Sequence, residues 1–315
     1  MRYIETLHEG ENIRSIYLCK QKNSALTKSG KEYDNVILQD KTGQLDAKIW
    51  EPNSFGIEDF GALDYVEVTG KVTTFNGSIQ LSIDRARKCS EGEYNESDYL
   101  PVSRRDIEEM YAELMGYVNM IKNPQINALV KAFFVEDADF ITAFKKSSAA
   151  KSVHHGFIGG LLEHTLGVTK LCAFFADTYP MLKKDTLLAS AMFHDMGKIK
   201  EFSLFPQNDY TDDGQLLGHM VMGIEMLDEK LRGFSDFSPA VASEIKHCIL
   251  SHHGEYEFGA PKKPATAEGL ALHFADNMDA KMETLREMFE SADMTREWMG
   301  YSKLLETNIK RSTEV

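Results

Sequence analysis

Histidine and aspartate residues of the kind that hold divalent ions are concentrated in one part of this sequence. Nine of the ten histidines lie between positions 154 and 273, several of them in pairs or beside acidic residues. At the centre of this region, His194 and Asp195 follow an apolar run and precede Gly197 and Lys198. Imidazole and carboxylate donors leave exchangeable positions on a metal ion, and a carboxylate can bridge two ions. The pattern therefore predicts metal-assisted hydrolysis of a phosphoester.

Other candidate metal ligands lie on either side of this pair: His164, His219, His252, His253 and Asp276. A histidine, then a His-Asp pair, then a distant aspartate resembles the order found in the HD phosphohydrolase superfamily. The resemblance implies one ion held by His164, His194, Asp195 and Asp276. It also implies that Asp195 bridges to a second ion, held by His219 and by His252, His253 or both. Two such ions would activate a water molecule for attack on phosphorus.

Several residues near the predicted metal centre are candidates for supporting roles. Lys198 is placed to bind a phosphate oxygen as charge develops, although it could instead be a solvated lysine at a helix end. Either His154 or His155 could bind the scissile phosphate or protonate the leaving oxygen, and His155 is the better candidate. The His-Gly sequence equally permits a structural turn. Glu163 could orient a ligand, or merely face solvent.

The elements that must position these residues fall into two domains. Residues 1–92 contain five short strand-like runs separated by glycine turns, which predicts a five-stranded antiparallel OB-like barrel. Residues 93–103 are polar and rich in turn formers, as is typical of a linker. From residue 104 to residue 315 the apolar residues recur at helical spacing, which predicts an all-α bundle carrying the metal ligands.

The predicted barrel carries side chains suited to single-stranded nucleic acid. Its aromatic residues alternate along the chain with lysines, as stacking on bases and pairing with phosphates require. Aromatic residues in strands are more often core, and lysines are more often simply solvated, so each assignment has a structural alternative. The candidates are Trp50, Tyr17, Tyr33, Phe75, Lys48 and Lys71.

With the barrel included, the resemblance covers nearly the whole chain and becomes narrower. An OB-like module followed by His154-His155-Gly156 and the HD order is similar to the YhaM-type 3′-5′ exoribonucleases. This resemblance implies hydrolysis of single-stranded RNA, and to some extent of single-stranded DNA, from the 3′ end to nucleoside monophosphates. It also implies two divalent ions, with manganese favoured over iron, cobalt, zinc, magnesium and nickel.

Composition limits the classes of function. The 315 residues have a net charge of -14, of which only -2 lies in residues 1–92, so the chain cannot coat nucleic acid by bulk charge. Four scattered cysteines predict neither disulfides nor a thiolate zinc site. The sequence has no run long enough to span a membrane and no signal peptide, so a cytoplasmic protein without membrane contacts is expected.

Two other functions are compatible with the same ligands. One is an HD enzyme that hydrolyses a small nucleotide, with the barrel serving as an oligomerisation module. The other is a non-catalytic nucleic-acid-binding protein whose helical bundle is only a scaffold. The barrel favours a polymeric substrate over the first, and the complete ligand set argues against the second. Formation of a homo-oligomer is compatible with all three interpretations.

Overall fold

The chain divides into two compact units, Met1–Val102 and Ser103–Val315. The computed structural model describes residues 2–27, 29–75, 78–151, 155–291 and 297–313. Two aromatic residues of the predicted linker pack within the first unit, because Tyr94 stacks on Tyr65 with ring centroids 3.7 Å apart and Tyr99 meets Tyr65 edge-on. The assignment of residues 93–103 as a linker stays a prediction.

The first unit is a closed five-stranded barrel. Its strands are β1 (Asn12–Leu26), β2 (Glu32–Asp40), β3 (Gly43–Ile49), β4 (Tyr65–Phe75) and β5 (Ser78–Lys88), in the order β1-β2-β3-β5-β4. This is the arrangement of an OB fold, so the predicted barrel is confirmed. The prediction that all strands pair antiparallel is wrong in one place. After β3 the chain crosses to the other edge of the sheet, where β4 pairs with β1. Strand β5 then closes the barrel between β4 and β3, and it runs parallel to β3.

Alternation along the strands fills the barrel interior. In β3, for example, Leu45, Ala47 and Ile49 are buried while the residues between them are exposed or half-buried. Successive side chains of a strand point to opposite faces, so this pattern places one face inside the barrel and the other on its outer surface.

The second unit is helical. Its helices are α1 (Ile107–Val118), α2 (Pro124–Phe134), α3 (Ala138–Lys146), α4 (Gly160–Thr178), α5 (Lys184–Phe193), α6 (Lys198–Glu201), α7 (Asp212–Leu231), α8 (Pro239–Ser251) and α9 (Ala267–Ser291). Side chains of Asp106, Asn123 and Asp137 cap the first three helices at their N-termini. Helix α5 is buried along nearly its whole length, because its residues are apolar or small on every face. It therefore runs through the centre of the bundle.

The helical unit ends in a two-stranded antiparallel hairpin, formed by β6 (Trp298–Ser302) and β7 (Thr307–Lys310). The sequence analysis predicted helices to the end of the chain, and this prediction is wrong for the hairpin. Its strands alternate too weakly to be recognised, since most of their residues are exposed. Among the described residues, none of the helices is long and apolar enough to cross a membrane.

Candidate metal centre

Three predicted ligands from different helices meet in one buried group. His164 lies in the first half of α4, His194 directly follows α5, and Asp276 lies in the middle of α9. The Nε2 atom of His164 is 3.2 Å from the Nε2 of His194 and 3.2 Å from Oδ1 of Asp276. Potential ligand atoms of all three residues lie within 4.8 Å of one another. We call this set the first group.

A second group contains His219, His252 and His253, whose ligand atoms also lie within 4.8 Å of one another. His219 is in α7, and the two neighbouring histidines follow the last turn of α8. The sequence left open which of His252 and His253 belongs to the site. The structure places both of them in this group.

Asp195 lies between the two groups. Its Oδ2 is 3.4 Å from the Nε2 atoms of both His164 and His194. Its Oδ1 is 3.4 Å from the Nε2 of His219 and 3.6 Å from the Nε2 of His252. One carboxylate oxygen thus faces each group, which is the arrangement expected of a ligand that bridges two ions.

Several buried polar atoms at the centre have no hydrogen-bond partner among the described residues, as expected where divalent ions bind. Within the described parts of the chain, Oδ1 of Asp195 and the Nε2 atoms of His219 and His252 are buried and have no hydrogen-bond partner. A buried polar atom left without a partner costs about 1–3 kcal/mol. Three such atoms converging on one place are explained by a cation that they share. Nitrogen and oxygen donors of this kind suit manganese, iron, zinc and related ions.

The other ring nitrogen of each histidine is already engaged. Nδ1 lies 2.7 Å from a main-chain carbonyl oxygen in His194 and His252, and 2.8 Å from one in His253. Each of these rings therefore carries its proton on Nδ1 and turns the lone pair of Nε2 towards the centre. Hydrogen bonds to main-chain carbonyl oxygens thus hold these three rings in the tautomer and orientation that metal binding requires.

In the remaining two histidines, a carboxylate rather than a carbonyl oxygen accepts the hydrogen bond from Nδ1. Oδ2 of Asp279 accepts a hydrogen bond from Nδ1 of His164 at 2.7 Å, and Oε1 of Glu201 accepts one from Nδ1 of His219 at 3.1 Å. Such partners fix the ring orientation and make the ligand more basic. The sequence analysis missed both residues. A signal existed for Asp279, which follows Asp276 by three positions and so lies on the same helix face.

Glycines permit the close approach of the elements that carry the ligands. A Cβ atom on Gly197 would lie 1.9 Å from the carbonyl oxygen of His219, so only glycine lets the turn after Asp195 pack against α7. Gly218 has a φ of 74° and interrupts α7. This break lets the backbone N–H of His219 donate to Oε1 of Glu201, in addition to the contact of its ring.

The charges at the centre are strongly coupled. Burial favours the neutral acid, but Lys198 and His194 outweigh it and hold the pKa of Asp195 well below its usual range. Burial lowers the pKa of His164, but hydrogen bonds to Asp276 and Asp279 outweigh it and raise this pKa to about 10. Burial likewise opposes ionisation of Asp279, and its bonds to His155 and His164 lower its pKa to about 2. The carboxylates are therefore ionised and attract cations.

Two of the predicted supporting residues line the open side of the centre. The Nζ of Lys198 donates to Oδ2 of Asp195 at 2.6 Å, and burial, which lowers its pKa, is outweighed by this carboxylate. His155 is buried, and its Nε2 is 3.2 Å from Oδ2 of Asp279. Glu163 instead accepts a hydrogen bond from Oγ of Ser103 at 2.6 Å. His154 lies outside the described residues.

A cavity of about 800 Å³ opens beside the first group. Its lining includes His155, His164, Lys198 and Asp276, so the candidate ligands and the candidate phosphate-binding residues face the same space. A volume of this size is typical of pockets for small molecules.

On the barrel, two of the predicted aromatic residues lie together. Tyr33 of β2 and Trp50, which follows β3, stack with ring centroids 5.3 Å apart, and the side chain of Trp50 is 49% exposed. Lys48 of β3 donates a hydrogen bond to Oδ1 of Asn35 nearby in the sheet. In OB folds the face formed by β-strands 2 and 3 binds oligonucleotides. Tyr33 and Trp50 therefore lie on the surface where a nucleic-acid strand is expected to bind.

The prediction that Tyr17 stacks on a base is wrong. Its side chain is completely buried in the barrel core, and its hydroxyl donates to the carbonyl oxygen of Arg2. The ring therefore has no free face. Phe75 and Lys71 are exposed on β4, although the hairpin turn at residues 76 and 77 lies outside the described residues. The sequence analysis did not single out Phe55, which is fully exposed in the connection after Trp50.

Comparison with known families defines the class of this protein. A family model described as HD domain matches residues 161–281, which include all seven candidate metal ligands. Residues 161–281 of the helical unit therefore form an HD domain, a fold that binds divalent metal. The predicted order of OB-like barrel and HD bundle is confirmed. Among solved structures, the second OB-fold domain of replication protein A from Methanococcus maripaludis matches 30% of this chain and 98% of its own, with 19% identity and a TM-score of 0.22.

Full-length relatives define the family more narrowly. The chain is 34% identical over 286 residues to the 3′-5′ exoribonuclease YhaM of Bacillus subtilis (strain 168), covering 90% of each chain. It is also 34% identical over 282 residues to the protein of the same name in Bacillus velezensis, covering 88% of this chain and 87% of the relative. The chain therefore belongs to the YhaM family, as the resemblance in its sequence predicted.

Proposed function

We propose that this chain is a metal-dependent 3′-5′ exonuclease that hydrolyses single-stranded RNA, and to a lesser extent single-stranded DNA, to nucleoside monophosphates. The relatives named 3′-5′ exoribonuclease cover almost the whole chain, including both the barrel and the HD domain. The proposal includes two divalent ions, with manganese as the favoured ion, and a cytoplasmic location.

The single observation that carries the chemistry is the position of Asp195 between two histidine groups. One oxygen of its carboxylate faces His164 and His194, and the other faces His219 and His252. A site for one ion would need only one of these groups. The two groups around one carboxylate favour two neighbouring ions that share Asp195 as a ligand.

The residues of the chain would divide the work as follows. His164, His194, Asp276 and Asp195 would hold one ion, and His219, His252, His253 and Asp195 the other. When bound, the ions supply an activated water and neutralise charge on the phosphoryl oxygens. Lys198 would neutralise further charge on the scissile phosphate, since its Nζ already lies beside the bridging carboxylate and its side chain lines the cavity.

His155 is the candidate that would handle the leaving group. It lines the same cavity, and its Nε2 lies 3.2 Å from Oδ2 of Asp279, a contact that orients the ring. A positioned imidazole of this kind can donate a proton to a leaving 3′ oxygen. The stacked pair Tyr33 and Trp50 would hold unpaired bases of the same strand on the barrel.

The proposal is tested with single-stranded RNA that is labelled at its 5′ end and incubated with the purified chain and manganese. A descending ladder of labelled fragments is expected, because removal of nucleotides from the 3′ end leaves the label on the shortening strand. Asp195→Ala should abolish the ladder. Asp177→Ala is the matched control, because Asp177 is an exposed aspartate at the end of α4 that pairs only with Lys184 among the described residues.

Three other outcomes would contradict the proposal. Immediate release of a labelled mononucleotide would reverse the direction of digestion. Intact RNA with stoichiometric metal bound would favour the hydrolysis of a small nucleotide instead. A ladder that persists in Asp195→Ala would show that the bridging carboxylate is not needed for hydrolysis.

A further inference from the structure

The cavity beside the metal centre extends well beyond the candidate ligands. Its other walls are formed by Lys281 and neighbouring residues of α9, by Phe258, and by the turn at residues 303–306 that joins β6 to β7. None of these residues is needed to hold metal or to activate water. Their chemistry indicates what the cavity is built to accept.

We propose that this part of the cavity is the binding site for the terminal nucleotide of the strand. Lys281 and Lys303 bind its phosphate, and Phe258 and the leucines of the hairpin turn contact its base. The inference rests on the proposed exonuclease function and deepens it, because it assigns the residues that hold the nucleotide to be released.

The two lysines are the first part of the argument. Among the residues that the structure describes, neither Lys281 nor Lys303 forms an ion pair, whereas Lys198 is held by Asp195 at 2.6 Å. Lys281 and Lys303 are thus free cations in the wall of an otherwise acidic protein with a net charge of -14. A lysine in such a place is a flexible point charge suited to phosphate.

Helix α9 sets the distance between the candidate metal ligand Asp276 and the cation of Lys281. Asp276 and Lys281 both line the cavity, and Lys281 follows Asp276 by five residues. At a rise of about 1.5 Å per residue, Lys281 begins about 7.5 Å further along the helix axis. One helix therefore presents a metal ligand and, about one and a half turns further on, a flexible cation to the same cavity.

Apolar residues form the second part of the argument. The side chain of Phe258 is 65% exposed although it lines a cavity, and Leu304 of the hairpin turn is also exposed. An exposed aromatic ring in a pocket with cations is typical of sites that stack a base and pair with its phosphate, and the leucine adds apolar contact. Glu306 in the same turn adds a carboxylate, which suits ribose hydroxyls because it only accepts hydrogen bonds.

The experiment measures binding of adenosine 5′-monophosphate to the manganese-loaded full chain by calorimetry, which requires no nuclease activity. Lys281→Ala and Lys303→Ala should each weaken binding by about tenfold, the usual effect of losing one hydrogen bond to a charged group. They should weaken binding of ribose 5-phosphate to a similar extent. Phe258→Ala should weaken binding of adenosine 5′-monophosphate but leave binding of ribose 5-phosphate unchanged.

Lys310→Ala is the matched control, because Lys310 is an exposed lysine in β7 of the same hairpin and does not line the cavity. It should bind the nucleotide like the unmodified chain, and manganese content should be equal in all variants. Unchanged affinity in both cavity lysine variants would overturn the inference. If RNA is not degraded but the nucleotide still binds through these lysines, the proposed exonuclease function fails while the binding site stands.

Discussion

Asp279 accepts a hydrogen bond from Nδ1 of His164 at 2.7 Å, while Nε2 of the same ring points towards Asp195 and Asp276. The imidazole thus joins an outer carboxylate to the predicted metal centre. Because Asp279 holds the proton on Nδ1, it is Nε2 that can release its proton and bind an ion through its lone pair. A residue that touches no ion can in this way decide how strongly the ion is bound.

Removal of this carboxylate should weaken metal binding. Asp279→Asn keeps an oxygen that can accept the hydrogen bond but removes the charge, so we expect the affinity for manganese to fall by about tenfold. Asp279→Ala removes both and should lower it by up to about a hundredfold. Calorimetric titration of the metal-free chain with manganese measures the effect, with Asp177→Asn as the control. Equal affinities in all the variants would show that Asp279 has only a structural role.

Removal of single ligands should show how the two ions are divided. His194→Ala leaves the second group intact, and His219→Ala leaves the first group intact, so each variant should retain about one ion where the unmodified chain holds about two. Asp195→Ala should lower the affinity for both. Metal analysis after gel filtration in dilute manganese gives the stoichiometry.

The control for this series is His247→Ala, since Nε2 of His247 accepts a hydrogen bond from the backbone N–H of Ala265, outside both groups. If His194→Ala or His219→Ala lost both ions together, the centre would act as one indivisible site, and the assignment of ligands to separate ions would be wrong.

Much of this site could be predicted from the sequence, because the ligands can be recognised from their residue types and their order along the chain. Histidine and aspartate side chains are typical metal donors, and all seven predicted ligands lie at the centre. The barrel was also predictable, because strand alternation and turn glycines are local signals.

The features that could not be predicted depend on packing between distant segments. The spacing places Asp279 on the helix face of Asp276, but nothing in the sequence near Glu201 or Asp279 indicates which ring nitrogen each will contact. Those contacts form only when α6 packs against α7 and α4 packs against α9. Tyr17 was assigned to the wrong face of its strand. A tyrosine in a strand can face either the core or the solvent, and only the closed barrel shows that its hydroxyl reaches the carbonyl oxygen of Arg2.

Asp137 gives a prediction on stability that is independent of metal. It caps α3 by accepting a hydrogen bond from the backbone N–H of Phe140 at 2.9 Å, and it accepts another from Lys230 at 2.6 Å. The bond to Lys230 and the cap outweigh burial and lower the pKa of Asp137. Asp137→Ala should therefore reduce the free energy of unfolding by about 1–2 kcal/mol at pH 7.

The sign of the pH dependence follows from this lowered pKa. The stabilisation by the carboxylate is complete above the pKa of the unfolded chain, about 3.9, and is lost as the pH falls towards the lower pKa of the folded state. The cost of Asp137→Ala should thus shrink below about pH 4. Urea unfolding of the metal-free chain tests this, with Asp137→Asn as the control that keeps a capping oxygen. A cost that stays constant down to pH 3 would exclude the carboxylate as its source.

The stacked pair on the barrel should bind RNA through its exposed ring. Trp50→Ala removes the half-exposed member of the pair, and loss of one stacked base costs about 1–3 kcal/mol, so we expect the affinity for a single-stranded oligonucleotide to fall by about tenfold or more. Fluorescence anisotropy with a labelled oligonucleotide in excess chelator measures binding without cleavage.

Leu26→Ala is a fair control, because Leu26 is a large exposed apolar residue of β1 on the same barrel. If both variants bind like the unmodified chain, the strand must be held elsewhere, and the HD domain alone would have to select single-stranded substrates.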